Sequence, residues 1–196
     1  MIGLDEHVFR VWYAGDAANG VAMKAMIAAT LLGSGWSMLA LVPLLVHART
    51  RRFAASLTAT LVTTAAIVAL MKLLVRRNRP FMSLDGVHAL FGSPMDFSFP
   101  SGHSAGSFAV AGFVAVAAAR RAQAEPELAR PLLAVSAAVG ILATCVAFSR
   151  VYLGVHFPGD VAGGAALGAT LGVIGARASR TSHERLLASR TQDDTQ

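Results

Sequence analysis

The sequence predicts an all-α, polytopic membrane helix bundle with about five transmembrane helices, room for a sixth, and an interfacial helix at the N-terminus. Two observations carry that expectation. Of 196 residues, 55% are hydrophobic and only 14% charged, with mean hydropathy +0.56, whereas soluble domains carry about 25% charged residues. The uncharged residues also gather into five stretches, 25–46, 53–71, 104–119, 131–149 and 161–176. Crossing a hydrocarbon layer roughly 30 Å thick takes about 20 apolar residues, and a soluble bundle of such helices would have almost no polar surface left to cover them.

Taken in order, residues 1–24 lack the basic start and early apolar run of a signal peptide, so the first apolar stretch is expected to stay as a transmembrane helix. Before it, Val8, Phe9, Trp12 and Tyr13 lie among charges, a pattern that suits a helix in the membrane interface or a plain loop. The stretches at 104–119 and 161–176 are short and must borrow a turn from their flanks, which puts Gly102, His103 and Asp160 near a membrane surface. Gly164, Gly168 and Gly172 recur every four residues in the last stretch, and a face of small residues lets helices approach closely; packing within the subunit is the expectation. Residues 177–196 are polar and read as a cytoplasmic tail, leaving 1–176 as one membrane-embedded domain.

The net charge of +6 does not point to nucleic acid, because Lys and Arg sit in short clusters between uncharged stretches with little aromatic interleaving. Cys145 is the single cysteine, so neither a disulfide nor a thiolate zinc site is available within the chain. Basic residues accumulate on the cytoplasmic side. Arg49, Arg51 and Arg52, then Arg120, Arg121 and Arg130, then Arg177, Arg180, Arg185 and Arg190 therefore mark that side. The opposite side would hold Arg10, Lys24, Lys72, Arg76, Arg77, Arg79 and Arg150, a modest bias that becomes clearer only if some of these seven have another job.

Three clusters at helix ends supply one. Lys72, Arg76 and Arg79 are spaced four and three apart and share a face if the second helix runs on, before Pro80 turns the chain. Alone, the cluster is equally explained by snorkelling to lipid head groups. Pro100, Ser101, Gly102 and His103 describe a helix start whose free N–H groups can face an anion. Ser149, Arg150, His156 and Asp160 bridge two helices; Asp160 suits an N-cap, or a carboxylate that orients one ring nitrogen of His156 and leaves the other free to attack.

Together, Lys72, Arg79 and Pro80, then Pro100-Ser101-Gly102-His103, then Ser149, Arg150, His156 and Asp160, in this order and spacing, resemble the three-part signature of the type 2 phosphatidic acid phosphatase family. The resemblance implies a metal-independent membrane lipid phosphatase without cofactor. His156 would be the nucleophile, Asp160 its orienting carboxylate and His103 the acid for the leaving oxygen. Lys72, Arg79, Ser101, Gly102 and Arg150 would bind the phosphate. The implied partners are a lipid phosphate substrate and membrane lipids, with the oligomeric state open. Undecaprenyl diphosphate, cleaved at the outer face of the cytoplasmic membrane, is the first substrate expected. Phosphatidic acid, phosphatidylglycerol phosphate and lipid A phosphate are the alternatives.

Two further residue readings complete the expectation. The loop 81–99, with Phe81, Met82, Leu90, Phe91, Met95, Phe97 and Phe99, would pack over the helix ends or dip into the interface. Arg76 and Arg77, outside the signature, would face anionic lipid or a second phosphate. Of other classes, a vanadium-haloperoxidase-like oxidoreductase shares the constellation on larger soluble proteins, and a transporter would need ionisable residues inside the stretches, which contain none.

Overall fold

In the computed structural model, which describes residues 2–15, 18, 20–35, 42–48 and 50–193 and side chains through 179, every regular element is a helix. The helices are α1 (Ile2–Trp12), α2 (Gly20–Leu32), α3 (Val42–Val46), α4 (Arg51–Val75), α5 (Pro80–Ser83), α6 (Gly102–Ala124), α7 (Ala129–Tyr152) and α8 (Pro158–Asp193). Among the described residues, four segments are long and apolar enough to cross a bilayer, namely Arg51–Ser83, Gly102–Ala124, Pro126–Tyr152 and Pro158–Ser179. No more than 28% of any of these apolar windows is buried inside the protein, so most of their surface must meet hydrocarbon. Leu74, Leu133 and Ile141 stand outward on them, and hydroxyls along them turn back on their own helix: Thr64, Ser136, Thr144 and Thr170 each donate to the carbonyl four residues earlier. A polar group in lipid has no water to turn to.

One expectation is corrected. The stretch 25–46 is not one helix: α2 begins earlier, at Gly20, and stops at Leu32, and α3 resumes at Val42, with residues 36–41 outside the described set. Gly33, Ser34 and Gly35 follow the last turn, and Ser34 Oγ donates to the Leu31 carbonyl at 2.6 Å; glycine and local serine bonding both favour leaving the helix. At the other end, α8 continues through Asp193, because 177–193 holds neither Gly nor Pro to stop it.

The centre of the bundle is α6, packed against α8, α7 and α4. The glycine stripe makes the first of these contacts. A Cβ on Gly168 would fall 2.0 Å from the Ala105 carbonyl oxygen, and one on Gly172 2.2 Å from that of Ala109. The packing is thus within the subunit. It draws the starts of α6 and α8 together, and a core of Leu57, Leu61, Ala109, Phe113 and Ala176 fills the space towards α4. The helix α1 forms as expected but is more than an interfacial helix, since Phe9 is fully buried against Val87, Val151 and Phe157 while Leu4, Val11 and Trp12 face outward.

Replacing Gly168 by Ala should lower the thermal midpoint in detergent by several degrees, because backbone lies where the methyl would go. Gly140→Ala, with nothing within 4 Å of its would-be Cβ, should leave it unchanged or slightly raised, since alanine is the better helix former by about 0.5–1 kcal/mol. Equal midpoints for the two variants would contradict the packing.

Candidate active site

The chain alternates through the bundle so that the end of α4, the starts of α6 and α8 and the end of α7 meet at one side. The expected site residues do not all arrive by the expected route. The α4 helix ends at Val75, with Arg76 in the left-handed region at φ 50°, so Arg79 is not on the helix face of Lys72. It lies in the loop before Pro80, extended at ψ 157°, as a residue preceding proline should be. Ser101 caps α6, accepting from the Ser104 backbone N–H at 3.4 Å and pairing with the Ser104 hydroxyl at 3.1 Å. After α7 the chain doubles back at Gly154, where φ is +79° and a Cβ would lie 2.5 Å from the His88 carbonyl oxygen. That turn hangs the His156 N–H on the Arg150 carbonyl at 3.2 Å.

A cavity of about 590 Å³ opens from this end, lined by Lys72, Arg79, Asp96, Gly102, His103, Arg150 and His156. Its remaining wall is mainly apolar, with Leu57, Leu61, Val68, Val110, Leu142 and Val146. Ser101 and Asp160, both fully buried, lie behind it.

The histidine is held from both sides. Arg79 Nη1 stands 3.1 Å from His156 Nε2 and 2.8 Å from the Val155 carbonyl. A guanidinium can only donate, so Nε2 carries the lone pair and Nδ1 the proton. Nδ1 faces Ser98 Oγ at 3.3 Å and Asp160 Oδ2 at 3.6 Å. Burial, helped by the Arg79 charge and opposed by Asp160, pushes the His156 imidazole down to about 4. The ring is therefore neutral at pH 7. Asp160 Oδ2 also accepts from the Ser98 hydroxyl and from the Phe157 N–H at 2.8 Å, the latter being the reach of a third helical residue back to its cap. Asp160 is thus not the N-cap but the third helical residue, making the back-reaching half of a capping box.

Three cations face the cavity against one carboxylate, Asp96. Its carboxylate bonds Lys72 and, at 2.7 Å, Arg79 Nη2. Burial alone would raise its pKa, yet these two cations hold it at about 2. Among the described residues, the Arg150 guanidinium bonds Thr30 at 3.0 Å, whose hydroxyl meets Ser149 at 2.7 Å, and its buried Nε has no partner. Buried donors are almost always satisfied, so an unmet one beside a cavity suits an incoming anion.

The sequence motifs single out none of Asp5, Thr30, Asp96 and Ser98. Arg77 does not line the cavity; it bonds Asp160 Oδ1 at 2.8 Å and Asp5 Oδ2 at 2.6 Å. Arg76 is exposed and bonds the Leu73 carbonyl at 3.0 Å. The loop 81–99 divides its roles. Phe81, Leu84 and Val87 pack over the helix ends, Phe99 lies against Gly163, and Met95 and Phe91 face outward.

A family model described as PAP2 superfamily matches residues 53–184. The chain is 36% identical over 140 residues to decaprenylphosphoryl-5-phosphoribose phosphatase of Mycobacterium tuberculosis, covering 71% of this chain and 69% of that one. Undecaprenyl-diphosphatase of Sulfolobus acidocaldarius is 30% identical over 139 residues, 70% of this chain and 61% of the relative. Among solved structures, the transmembrane PAP2 type phosphatidylglycerolphosphate phosphatase of Bacillus subtilis superposes with a TM-score of 0.70 at 26% identity, covering 93% of this chain and 86% of that one.

The depressed His156 value has a consequence for stability. Between the ordinary histidine value of 6.5 and about 4, the unfolded chain takes up a proton here that the folded protein refuses. The contribution of this residue is therefore whole above pH 6.5 and is lost as pH falls towards 4. Relative to His156→Gln, the wild type should lose about 1–3 kcal/mol across that range, read from unfolding in detergent at stepped pH. A constant difference would contradict a neutral, buried ring.

Proposed function

The chain belongs to the PAP2 superfamily of membrane lipid phosphatases, and from that premise we propose that it removes the terminal phosphate of a polyprenyl-linked phosphate through a phosphohistidine at His156. Undecaprenyl diphosphate is the first substrate in this reading. The observation that carries it is the two-ended cavity: cations and two histidines at one end, an apolar wall running between the helices from there. Such a space suits a phosphate joined to a long hydrocarbon. Two of the similar proteins are named for polyprenyl phosphates, which favours an isoprenoid tail over a glycerolipid one. Phosphatidylglycerol phosphate is the second reading, suggested by the name of the solved structure.

In this mechanism the terminal phosphate displaces Asp96 from Lys72 and Arg79 and meets the unpartnered side of Arg150. Three fixed cations then match the charge that spreads over the equatorial oxygens of a phosphoryl transition state. Gly102, in the first turn of α6, adds its backbone N–H. With Arg79 turned to the phosphate, the Nε2 lone pair of His156 attacks phosphorus in line, and the Nδ1 proton stays shared with Ser98 and Asp160. His103 gives a proton to the leaving oxygen as its bond to phosphorus breaks. It then takes one from the water that attacks the phosphohistidine, which restores both imidazoles. Arg51, Arg52, Arg120, Arg121, Arg130 and Arg177 lie towards the other ends of these helices, which supports a site on the outer face of the cytoplasmic membrane.

Purified protein in detergent should release phosphate from undecaprenyl diphosphate faster than from phosphatidylglycerol phosphate or phosphatidic acid, with the rate unchanged by a chelator. His156→Ala should lose at least about a thousandfold in kcat and His103→Ala about a hundred- to ten-thousandfold. Full activity of His156→Ala would overturn the nucleophile. A preference for glycerolipids would overturn the tail.

A further inference from the structure

The proposed chemistry uses Asp160 but leaves unexplained the cation behind it. Arg77 follows the end of α4 and carries two carboxylates on one guanidinium: Nη1 to Asp160 Oδ1 at 2.8 Å and Nη2 to Asp5 Oδ2 at 2.6 Å. Asp5 in turn accepts the Gly159 N–H on Oδ1 at 2.8 Å. The Phe157 ring lies under the guanidinium, 4.2 Å from Cζ to the centroid. The Arg77 carbonyl accepts the Ser98 N–H at 2.8 Å, so the same residue also seats the serine that bonds Asp160 Oδ2. On α1, Asp5 and Phe9 are one turn apart and share a face. Phe9 is fully buried against Phe157 and Val151, which anchors the helix where Asp5 can reach both Arg77 and the first turn of α8.

Resting on the phosphohistidine reading above, we propose that Arg77, braced by Asp5 of α1, is a positioning residue for phosphoryl transfer: it fixes which oxygen of Asp160 faces His156 and balances the charge of that carboxylate. Both oxygens of the buried carboxylate are then committed, Oδ1 to Arg77 and Oδ2 to Ser98, the Phe157 N–H and the His156 side. The carboxylate cannot rotate without breaking one set. Without Arg77, a fully buried carboxylate would stand beside the imidazole with less to offset it, and the ring would bind a proton more readily. A protonated Nε2 has no lone pair to attack with.

The other groups around His156 remain as they are in such a variant. Arg79 and Ser98 come from the chain between α4 and α6, Lys72 from α4, His103 from α6, Arg150 from α7 and Asp160 from α8, with Asp96 across the cavity. What changes is the compensation of Asp160, together with the Arg77 contacts to the Asp5 carboxylate and the Phe157 ring.

The test is steady-state hydrolysis by the purified full-length protein, with undecaprenyl diphosphate and an undecaprenyl monophosphate ester as substrates and rates normalised to folded protein. Arg77→Gln should lower kcat about 10- to 100-fold with KM within about threefold, since the cavity cations are untouched. The acid limb of kcat/KM should move up by about one pH unit. Arg77→Lys should recover part of the rate and of the pH profile. Asp5→Asn should lower kcat by less and, because it removes a negative charge beside Arg77, should leave the acid limb in place or move it down; the double variant should lose less kcat than the product of the single losses. An Arg77→Gln protein that folds with kcat and pH profile unchanged overturns the proposal. So does one whose KM rises for the diphosphate alone, which would make Arg77 a ligand of a second phosphate. If Arg77→Gln does not fold, Arg77→Lys decides by a smaller pH shift in the same direction. Absence of phosphate release by the wild type would strike the phosphatase reading instead.

Discussion

The Asp160 carboxylate and its peptide group are the joint on which the site depends. Through Oδ1 the residue takes Arg77 from the end of α4; through Oδ2 it takes Ser98 and the Phe157 N–H and faces His156. Its carbonyl accepts the Ser101 N–H at 3.0 Å, at the cap of α6. Three chain segments separated by dozens of residues are thus fastened to one side chain that is 0% exposed. A buried ionised carboxylate is tolerated only when its lone pairs are met, and here meeting them is what assembles the three motifs. The glycine contacts between α6 and α8 do the complementary work, bringing the two helix starts close enough for that hydrogen bond.

The sign of the charge around the cavity has a related cause. Lys72, Arg79 and Arg150 converge where hydrocarbon surrounds the bundle, and like charges at such a place repel through a low dielectric. Asp96 relieves two of them, and Arg150 is left with a hydroxyl and an unmet Nε. The cations are therefore under-neutralised by the side chains around them, and the imbalance favours anions over neutral lipids. The exposed side chain of Asp96 can swing out at little desolvation cost, unlike Asp160.

Much of this was legible in the chain. Composition identified a membrane bundle because hydrocarbon admits few alternatives, and the three motifs named Lys72, Arg79, Gly102, His103, Arg150 and His156, all of which line one cavity. What could not be read were long-range partners whose signal is a single ordinary residue. Asp5 resembles any acidic residue of an amphipathic helix, and Thr30 any hydroxyl in an apolar one; nothing in their local pattern points 72 or 120 positions along the chain. The break after Leu32 had a signal, Gly33-Ser34-Gly35, that the absence of charge in 25–46 masked. The end of α4 had none, since Arg76 takes a left-handed conformation that glycine or asparagine would have advertised.

The position of α2 shows how an apparently peripheral helix enters the chemistry. A Cβ on Gly33 would lie 2.2 Å from Val146 Cγ1, so α2 can lie against α7 only because that residue has no side chain. This proximity brings the Thr30 hydroxyl to Arg150 Nη1 and Ser149 Oγ. Arg150 in turn offers its carbonyl to His156. A guanidinium tied at one nitrogen and open at another is oriented without being satisfied, which is the state a phosphate ligand requires before its anion arrives. Had Arg150 met a carboxylate instead of a hydroxyl, its charge would have been cancelled where the proposed reaction needs it. The neutral partner is therefore as much a part of the electrostatics as the cations it holds.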